Sequence, residues 1–119
     1  VSPLIDLGLL TKFNEEISLT NEVTTLPTPG HTPGHTSLLI SSKGEKAVVT
    51  GDAIHIPIQS SNTHWSPSPD RDKRLSSKSR EKLINYIEKE HALIAAGHFK
   101  FPGFGKIIKV NSKRTYIPT

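Results

Sequence analysis

The chain contains no cysteine and no methionine among its 119 residues. The lack of cysteine excludes disulfide bonds and thiolate ligands, so a metal ion would have to be bound by histidine and carboxylate side chains. No stretch approaches the run of about 18 apolar residues that a membrane span requires, and no signal peptide is apparent. We therefore expect no membrane partner. The sequence does not identify the compartment, although these absences favour the cytoplasm. A chain without methionine that begins with Val1 also fits a segment of a longer protein.

Positive charge is in modest excess, with 15 Lys and Arg residues against 11 Asp and Glu residues and a formal net charge of +4. The densest basic group is interleaved with Glu81, Glu88 and Glu90 in one predicted helix. Such interleaving is typical of a solvated helix face. The chain has no platform of basic and aromatic residues and no recognisable docking motif, so we expect no nucleic-acid partner.

Hydrophobic patterning predicts an α/β domain with the element order β-β-β-α-β-β-β. The strands are predicted at residues 23–28, 35–41, 46–50, 91–96, 106–110 and 115–117. Residues 1–22 are predicted as loop and short strand pieces, and residues 60–72 as an irregular segment anchored by Trp65. A sheet covered by a helix on one side leaves its other face open, so we expect more protein to be needed to cover it.

The helix is predicted to begin after Asp72, a typical N-cap residue, and to end near Glu90. Three- and four-residue spacing places five residues on one face: Leu75, Ser79, Leu83, Tyr86 and Ile87. Leu83, Tyr86 and Ile87 are expected to be buried against the sheet. Three basic residues are expected in solvent: Lys78, Lys82 and Lys89. His91 follows directly and is predicted to cap the helix end, where cationic groups are favoured.

Two Pro-Gly-His-Thr units stand back to back at residues 29–36. A Pro-Gly pair makes a tight turn, which would hold His31 rigidly at the edge of a sheet. Asp52 and His98 each follow a glycine at the end of an apolar run. Each signal alone also fits a turn or strand-end residue without a ligand. In this order the three residues indicate a metal site built from His31, Asp52 and His98.

Other polar residues near these motifs are predicted to support the metal site or the fold. His35 is predicted to orient its neighbours, or to be a half-buried structural residue. His55 and His64 are candidates to face the pocket. Four residues are predicted to form a structural latch: Trp65, Asp70, Asp72 and Arg80.

Three stretches, TPGHTPGHTS, TGDAIHIPIQ and AAGHFKFPGFG, together resemble the C-terminal half of a metallo-β-lactamase-fold hydrolase. The resemblance is closest to the branch with quorum-quenching lactonases and methyl-parathion-hydrolase-like enzymes, and it extends from Leu19 to Pro118. It implies half of an αββα sandwich, with a mixed β-sheet and a covering helix. It also implies that His31 and His98 are metal ligands and that Asp52 bridges two metal ions.

The family's first ligand group, an H-x-H-x-D-H motif, has no counterpart in this sequence. We therefore expect residues 1–119 to be a partial metallo-β-lactamase-like domain that lacks its N-terminal half and the first metal-binding motif. That missing half would be this chain's partner. Alone, the chain should bind metal weakly and be inactive. Its oligomeric state is not indicated.

The resemblance implies a metal-dependent hydrolase that cleaves an ester, lactone or phosphoester bond of a small-molecule substrate with metal-activated water. Two Zn²⁺ ions are expected in the complete domain, with Mn²⁺ or Fe²⁺ as alternatives. Asp52 is the expected catalytic residue, which bridges the ions and accepts a proton. The alternative is a non-catalytic half-domain that binds or regulates a partner through its exposed sheet face.

Overall fold

Residues 1–119, all described by a computed structural model, form six strands and two α-helices. The strands are β1 (Val23–Pro27), β2 (Thr36–Ser42), β3 (Glu45–Val49), β4 (Leu93–Ala95), β5 (Phe104–Val110) and β6 (Lys113–Pro118). They lie in chain order within one sheet. Neighbouring strands are antiparallel except β3 and β4, which are parallel. The predicted α/β fold, with a mixed sheet and a covering helix, is therefore confirmed.

Helix α1 (Ser2–Asp6) differs from the prediction of loop and short strand pieces for residues 1–22. Pro3 lies in its first turn, where the fixed φ of proline suits a helix and its missing N–H is not needed. None of the residues of α1 is buried. The helix therefore has no sheet-facing apolar side, which is the pattern by which it would have been predicted.

Both hairpins turn at residues with positive φ. Between β2 and β3, Lys43 and Gly44 have φ angles of 52° and 83°. Between β5 and β6, Asn111 and Ser112 have φ angles of 49° and 64°. Two-residue turns with this backbone match the right-handed twist of neighbouring strands. These turns lie between the strands that the sequence predicts at residues 35–41 and 46–50 and at residues 106–110 and 115–117.

Helix α2 (Lys73–Lys89) has the predicted bounds. Its N-cap is Asp72, whose carboxylate accepts a hydrogen bond from the Leu75 backbone N–H at 2.8 Å. His91 lies just past the helix end with a left-handed φ of 52°, a conformation common after a helix C-terminus. The three lysines expected in solvent are all exposed: Lys78, Lys82 and Lys89.

The buried face of α2 differs in part from the prediction. Leu83 and Ile87 are buried as expected, and Tyr86 is half-buried against the core. Leu75, which the spacing places on the same face, is 38% exposed. The buried residues of the helix are Ser76, Ser79, Arg80, Leu83, Ile84 and Ile87. Its first turns pack polar side chains on the loops at the strand ends, and only its later turns reach the apolar sheet, which rotates the buried face away from Leu75.

The hydrophobic core lies between α2 and one face of the sheet, where Val48 and Ile94 are fully buried. Side chains alternate between faces along a strand, so the opposite face carries a second apolar set. These residues are 36–48% exposed: Val49, Phe104, Ile108, Val110 and Ile117. We call this set the open face. Neither helix combines the length and apolar character needed to cross a membrane.

Candidate metal centre

The sheet topology explains why distant polar residues meet. Strands β1 and β3 both run antiparallel to β2, and β4 runs parallel to β3. These three strands therefore share one direction, and their carboxyl ends lie at the same edge of the sheet. His31 follows β1, Asp52 follows β3 and His98 follows β4. All three residues predicted from the sequence are thus delivered to one edge.

Asp52 lies between the two histidines. Its Oδ1 is 2.7 Å from Nε2 of His98, and its Oδ2 is 3.3 Å from Nε2 of His31. The hydrogen bond with His98 lowers the pKa of Asp52, and this effect outweighs burial, which acts in the opposite direction. The structure therefore brings together the three side chains proposed as metal ligands. Their role as metal ligands is a prediction.

His55 belongs to the same cluster, although the sequence indicated only that it would face a pocket. One ligand atom each from Asp52, His55 and His98 lies within 4.8 Å of the others. The His55 ring stacks on that of His98 with a centroid distance of 4.8 Å, and it lies 5.3 Å from that of His31. His55 follows the 3₁₀ turn Gly51–Ala53, which contains Asp52. His64, by contrast, packs edge-on against Trp65 and is exposed.

His35 holds the backbone of Asp52. Nε2 of His35 accepts a hydrogen bond from the Asp52 backbone N–H at 2.9 Å, so Nδ1 carries the ring proton and faces the Thr28 carbonyl oxygen at 3.1 Å. Burial lowers the pKa of His35, which favours this neutral ring. Gly51 is required beside it, because a Cβ there would lie 2.8 Å from Nε2 of His35 and φ is +52°. His35 thus has the orienting contact expected of it.

Asp70 contacts the far side of His31. Nδ1 of His31 lies 3.0 Å from Oδ1 of Asp70, while Oδ2 of Asp70 accepts hydrogen bonds from Ser76 at 2.6 Å and from Arg80 at 3.1 Å. The side chains of Asp70 and Arg80 are both fully buried. The predicted latch therefore exists, with two changes. Trp65 contributes its backbone carbonyl, while its side chain is half-exposed, and Asp72 is only a helix cap.

The residues at this edge fit a divalent metal ion. The candidate ligands are a carboxylate and imidazole rings, a donor set that suits Zn²⁺, Mn²⁺ or Fe²⁺. Nδ1 of His55 is buried and has no hydrogen-bond partner, which is uncommon for a polar atom and calls for an explanation such as an ion. Burial also lowers the pKa of His55, which favours the neutral ring that ligates metals.

Residues 3–98, which include every residue of this cluster, match the family model of the metallo-beta-lactamase superfamily. The chain belongs to this superfamily. The resemblance seen in the sequence is therefore confirmed. No curated protein matches the chain significantly.

Solved structures of superfamily hydrolases are similar to the chain. AidC, a dizinc quorum-quenching lactonase in complex with a product, is 30% identical with a TM-score of 0.77, over 87% of this chain and 35% of AidC. The hydrolase AbOPH is 29% identical with a TM-score of 0.83, over 99% of this chain and 41% of AbOPH.

A third similar structure is an N-acyl homoserine lactone hydrolase with a product bound at its catalytic metal centre. It is 29% identical with a TM-score of 0.62, over 71% of this chain and 33% of that protein. The chain thus spans between a third and about two fifths of the length of these three hydrolases. Its fold is that of half of a metallo-beta-lactamase domain, and its candidate metal site lies within the matched residues.

Proposed function

We propose that this chain provides part of the active site of a metal-dependent hydrolase that cleaves a lactone, ester or phosphoester bond with water. The observation that carries the proposal is the convergence of His31 and His98 on the two oxygens of Asp52. Two of the similar structures are lactonases, so a small-molecule lactone is the first substrate class to test.

Each side chain of the cluster has a distinct part in this proposal. His31 and His98 would hold metal through Nε2, with Asp52 between them offering one oxygen to each side. His55 is a further candidate ligand. When bound, a divalent ion of this kind polarises a carbonyl or phosphoryl oxygen and lowers the pKa of water toward about 7. Two Zn²⁺ ions in a complete domain are part of the proposal.

The protein's own contribution is to keep the cluster in the right charge and orientation. The hydrogen bond with His98 holds the pKa of Asp52 below its ordinary value, so its carboxylate is ionised at neutral pH. In this proposal that carboxylate accepts the proton released during hydrolysis. His35 fixes the backbone of Asp52.

We further propose that these residues are an incomplete site and that the 119-residue chain alone is inactive. The remaining ligands would come from an N-terminal half of the domain, which would also cover the open face. The support is the exposed cluster itself: the His98 side chain is 52% exposed and the Asp52 side chain 42%. A catalytic metal needs ligands on several sides and a site from which bulk water is largely excluded.

A second candidate function follows from the open face. Five apolar side chains on one sheet face are 36–48% exposed, and an apolar patch of this kind marks a surface that associates with another protein. The chain would then be a non-catalytic half-domain that binds or regulates a partner. It would need no metal for this role.

Zinc binding and hydrolysis separate the two functions. The full-length product of the coding sequence that contains these residues should retain zinc after dialysis and hydrolyse an N-acyl homoserine lactone or a phosphotriester probe. The 119-residue chain alone should retain well under one equivalent and show only background turnover. His31→Ala and Asp52→Ala should abolish both properties in the full-length protein, whereas His64→Ala, an exposed histidine outside the cluster, should leave both unchanged.

The results for zinc binding and hydrolysis can contradict each part of the proposal. A full-length protein that neither binds zinc nor hydrolyses either probe would overturn the hydrolase proposal and favour the binding function. Stoichiometric zinc and robust turnover from the 119-residue chain would show instead that the site is already complete.

A further inference from the structure

A buried acidic residue outside the ligand cluster has no part in the hydrolysis described above. Asp70 lies near the end of the irregular segment that precedes α2, and its side chain is fully buried. It lies 39 residues from His31 in the sequence, yet the two side chains are within hydrogen-bond distance. A buried carboxylate is costly unless it is fully paired, so its partners indicate what it does.

The two oxygens of Asp70 are used for different purposes. Oδ2 receives two donors from α2, the Ser76 hydroxyl at 2.6 Å and the Arg80 guanidinium at 3.1 Å. Oδ1 is left for Nδ1 of His31, at 3.0 Å. Because Arg80 is a permanent cation and both it and Ser76 donate to Oδ2, these contacts favour the ionised carboxylate of Asp70.

Arg80 fixes Asp70 to the rest of the site. Its Nε donates to the carbonyl of Ala53, the residue after Asp52, at 2.7 Å. Its Nη1 donates to the carbonyls of Thr63 and Trp65 at 2.7 and 2.9 Å. A guanidinium has donors only, in a rigid planar fork. Arg80 therefore ties α2, the Asp52 turn and the segment before Asp70 into one rigid unit.

The contact with Asp70 determines which nitrogen of His31 carries the proton. An ionised carboxylate only accepts hydrogen bonds, so Nδ1 of His31 must be the donor. Oδ2 of Asp52 is the other acceptor near the ring, but it lies farther away, at 3.3 Å from Nε2, and makes no hydrogen bond with it. The proton of the neutral ring is therefore on Nδ1 and the lone pair is on Nε2. Hydrogen bonds to the non-ligating nitrogen orient metal-binding histidines in proteins generally.

We propose that Asp70 is a positioning residue for the metal centre, which fixes the proton of His31 on Nδ1 and directs the Nε2 lone pair toward the ion. The inference rests on the proposed metal-dependent function. It assigns to α2 a role in the site, because Ser76 and Arg80 hold the carboxylate that holds His31.

The decisive variant is Asp70→Asn, because the direction of its effect follows from the donors around it. Arg80 cannot accept a hydrogen bond, so the new amide must turn its oxygen toward Arg80 and its NH₂ toward His31. Nδ1 of His31 would then have to accept, and its proton would move to Nε2, the nitrogen meant for the metal. Asp72→Asn is the matched control, since it removes the same charge nearby and asparagine remains a good N-cap.

Two measurements on the full-length protein test the proposal. Competition titration with a zinc chelator should show a roughly 10- to 100-fold loss of affinity in Asp70→Asn and less than a twofold change in Asp72→Asn. Long-range ¹H–¹⁵N spectra of the metal-free, ¹⁵N-histidine-labelled protein at pH 8 should show His31 protonated at Nδ1 in the wild type. In Asp70→Asn the proton should be on Nε2. A circular dichroism spectrum establishes that each variant is folded.

Two results would overturn the proposal: an unprotonated Nδ1 on His31 in the wild type, or a folded Asp70→Asn whose zinc affinity stays within twofold of the wild-type value. The spectrum of the wild type decides the question even if Asp70→Asn does not fold. If the wild type binds no zinc at all, the proposed function fails, and the spectrum still reports separately whether Asp70 sets the proton of His31.

Discussion

Helix α2 takes part in two ion-pair clusters that differ in burial. In its first half, Arg80 pairs with Asp70, and both side chains are fully buried. In its last turns, Glu88 pairs with Lys109 of β5 at 2.7 Å and with Arg114 of β6 at 3.0 Å, and all three side chains are partly exposed. One helix thus places the same kind of interaction in two very different surroundings.

The difference shows where in the fold charged groups are buried despite the free-energy cost of removing them from water. A buried charge must be fully paired, because removing one partner strongly lowers the free energy of unfolding. An exposed ion pair contributes little to that free energy. The buried cluster contacts His31 and the Asp52 turn, while the exposed cluster contacts no residue of the candidate metal centre. The buried ion pair is therefore found beside the candidate metal centre and the exposed ion pairs away from it.

The largest expected effect comes from breaking the buried cluster. Arg80→Met should lower the free energy of unfolding by about 3–5 kcal/mol, because it leaves Asp70 as a buried charge without its cation and removes the donors to three carbonyl groups. Urea unfolding followed by circular dichroism measures the loss. Lys82→Met, at an exposed position of the same helix, should change the value by less than about 0.5 kcal/mol. A loss below about 1 kcal/mol for Arg80→Met would remove the contrast between the clusters.

A substitution at Leu83 tests how α2 packs on the sheet without changing any charge. Leu83 is fully buried between the two clusters, so Leu83→Ala should cost about 2–5 kcal/mol through lost burial and the cavity left behind. Leu75→Ala is the matched control, because Leu75 is 38% exposed on the same helix and should cost much less. Equal losses in the two variants would mean that α2 is not docked as described.

The smallest effect should come from the exposed cluster. Hydrogen bonds from Lys109 and Arg114 lower the pKa of Glu88, so its ionised form is favoured in the folded state. That contribution is present above the pKa of about 4.3 expected in the unfolded chain and is lost as the pH falls through the lower folded value. Glu88→Gln should therefore lower stability slightly at pH 7, by less than about 1 kcal/mol.

The check is thermal unfolding of Glu88→Gln and the wild type at several pH values. The difference between them should shrink as the pH falls below about 4 and should not grow. A difference at pH 7 as large as that of Arg80→Met would contradict the distinction drawn between buried and exposed pairs.

Much of the fold could be predicted because its signals are local. The N-cap at Asp72 and the turns at 43–44 and 111–112 act within a few residues of themselves. Hydrophobic periodicity likewise places the strands and α2. Helix α1 was missed, because its residues are exposed and carry no such pattern. The exposure of Leu75 was not predicted, because the first turns of α2 pack on polar loops that periodicity does not reveal.

The candidate site likewise has a part that local sequence signals predict and a part that they do not. The sequence by itself placed His31, Asp52 and His98 at the ends of three strands, since glycine and proline mark where an apolar run stops. Only the tertiary structure decided that His55 stacks on His98 and that Asp70 reaches His31 across 39 residues. Strand ends are set by neighbours along the chain, but the partner of a buried side chain is set by how the helix and loops pack, and that information is not contained in any local pattern.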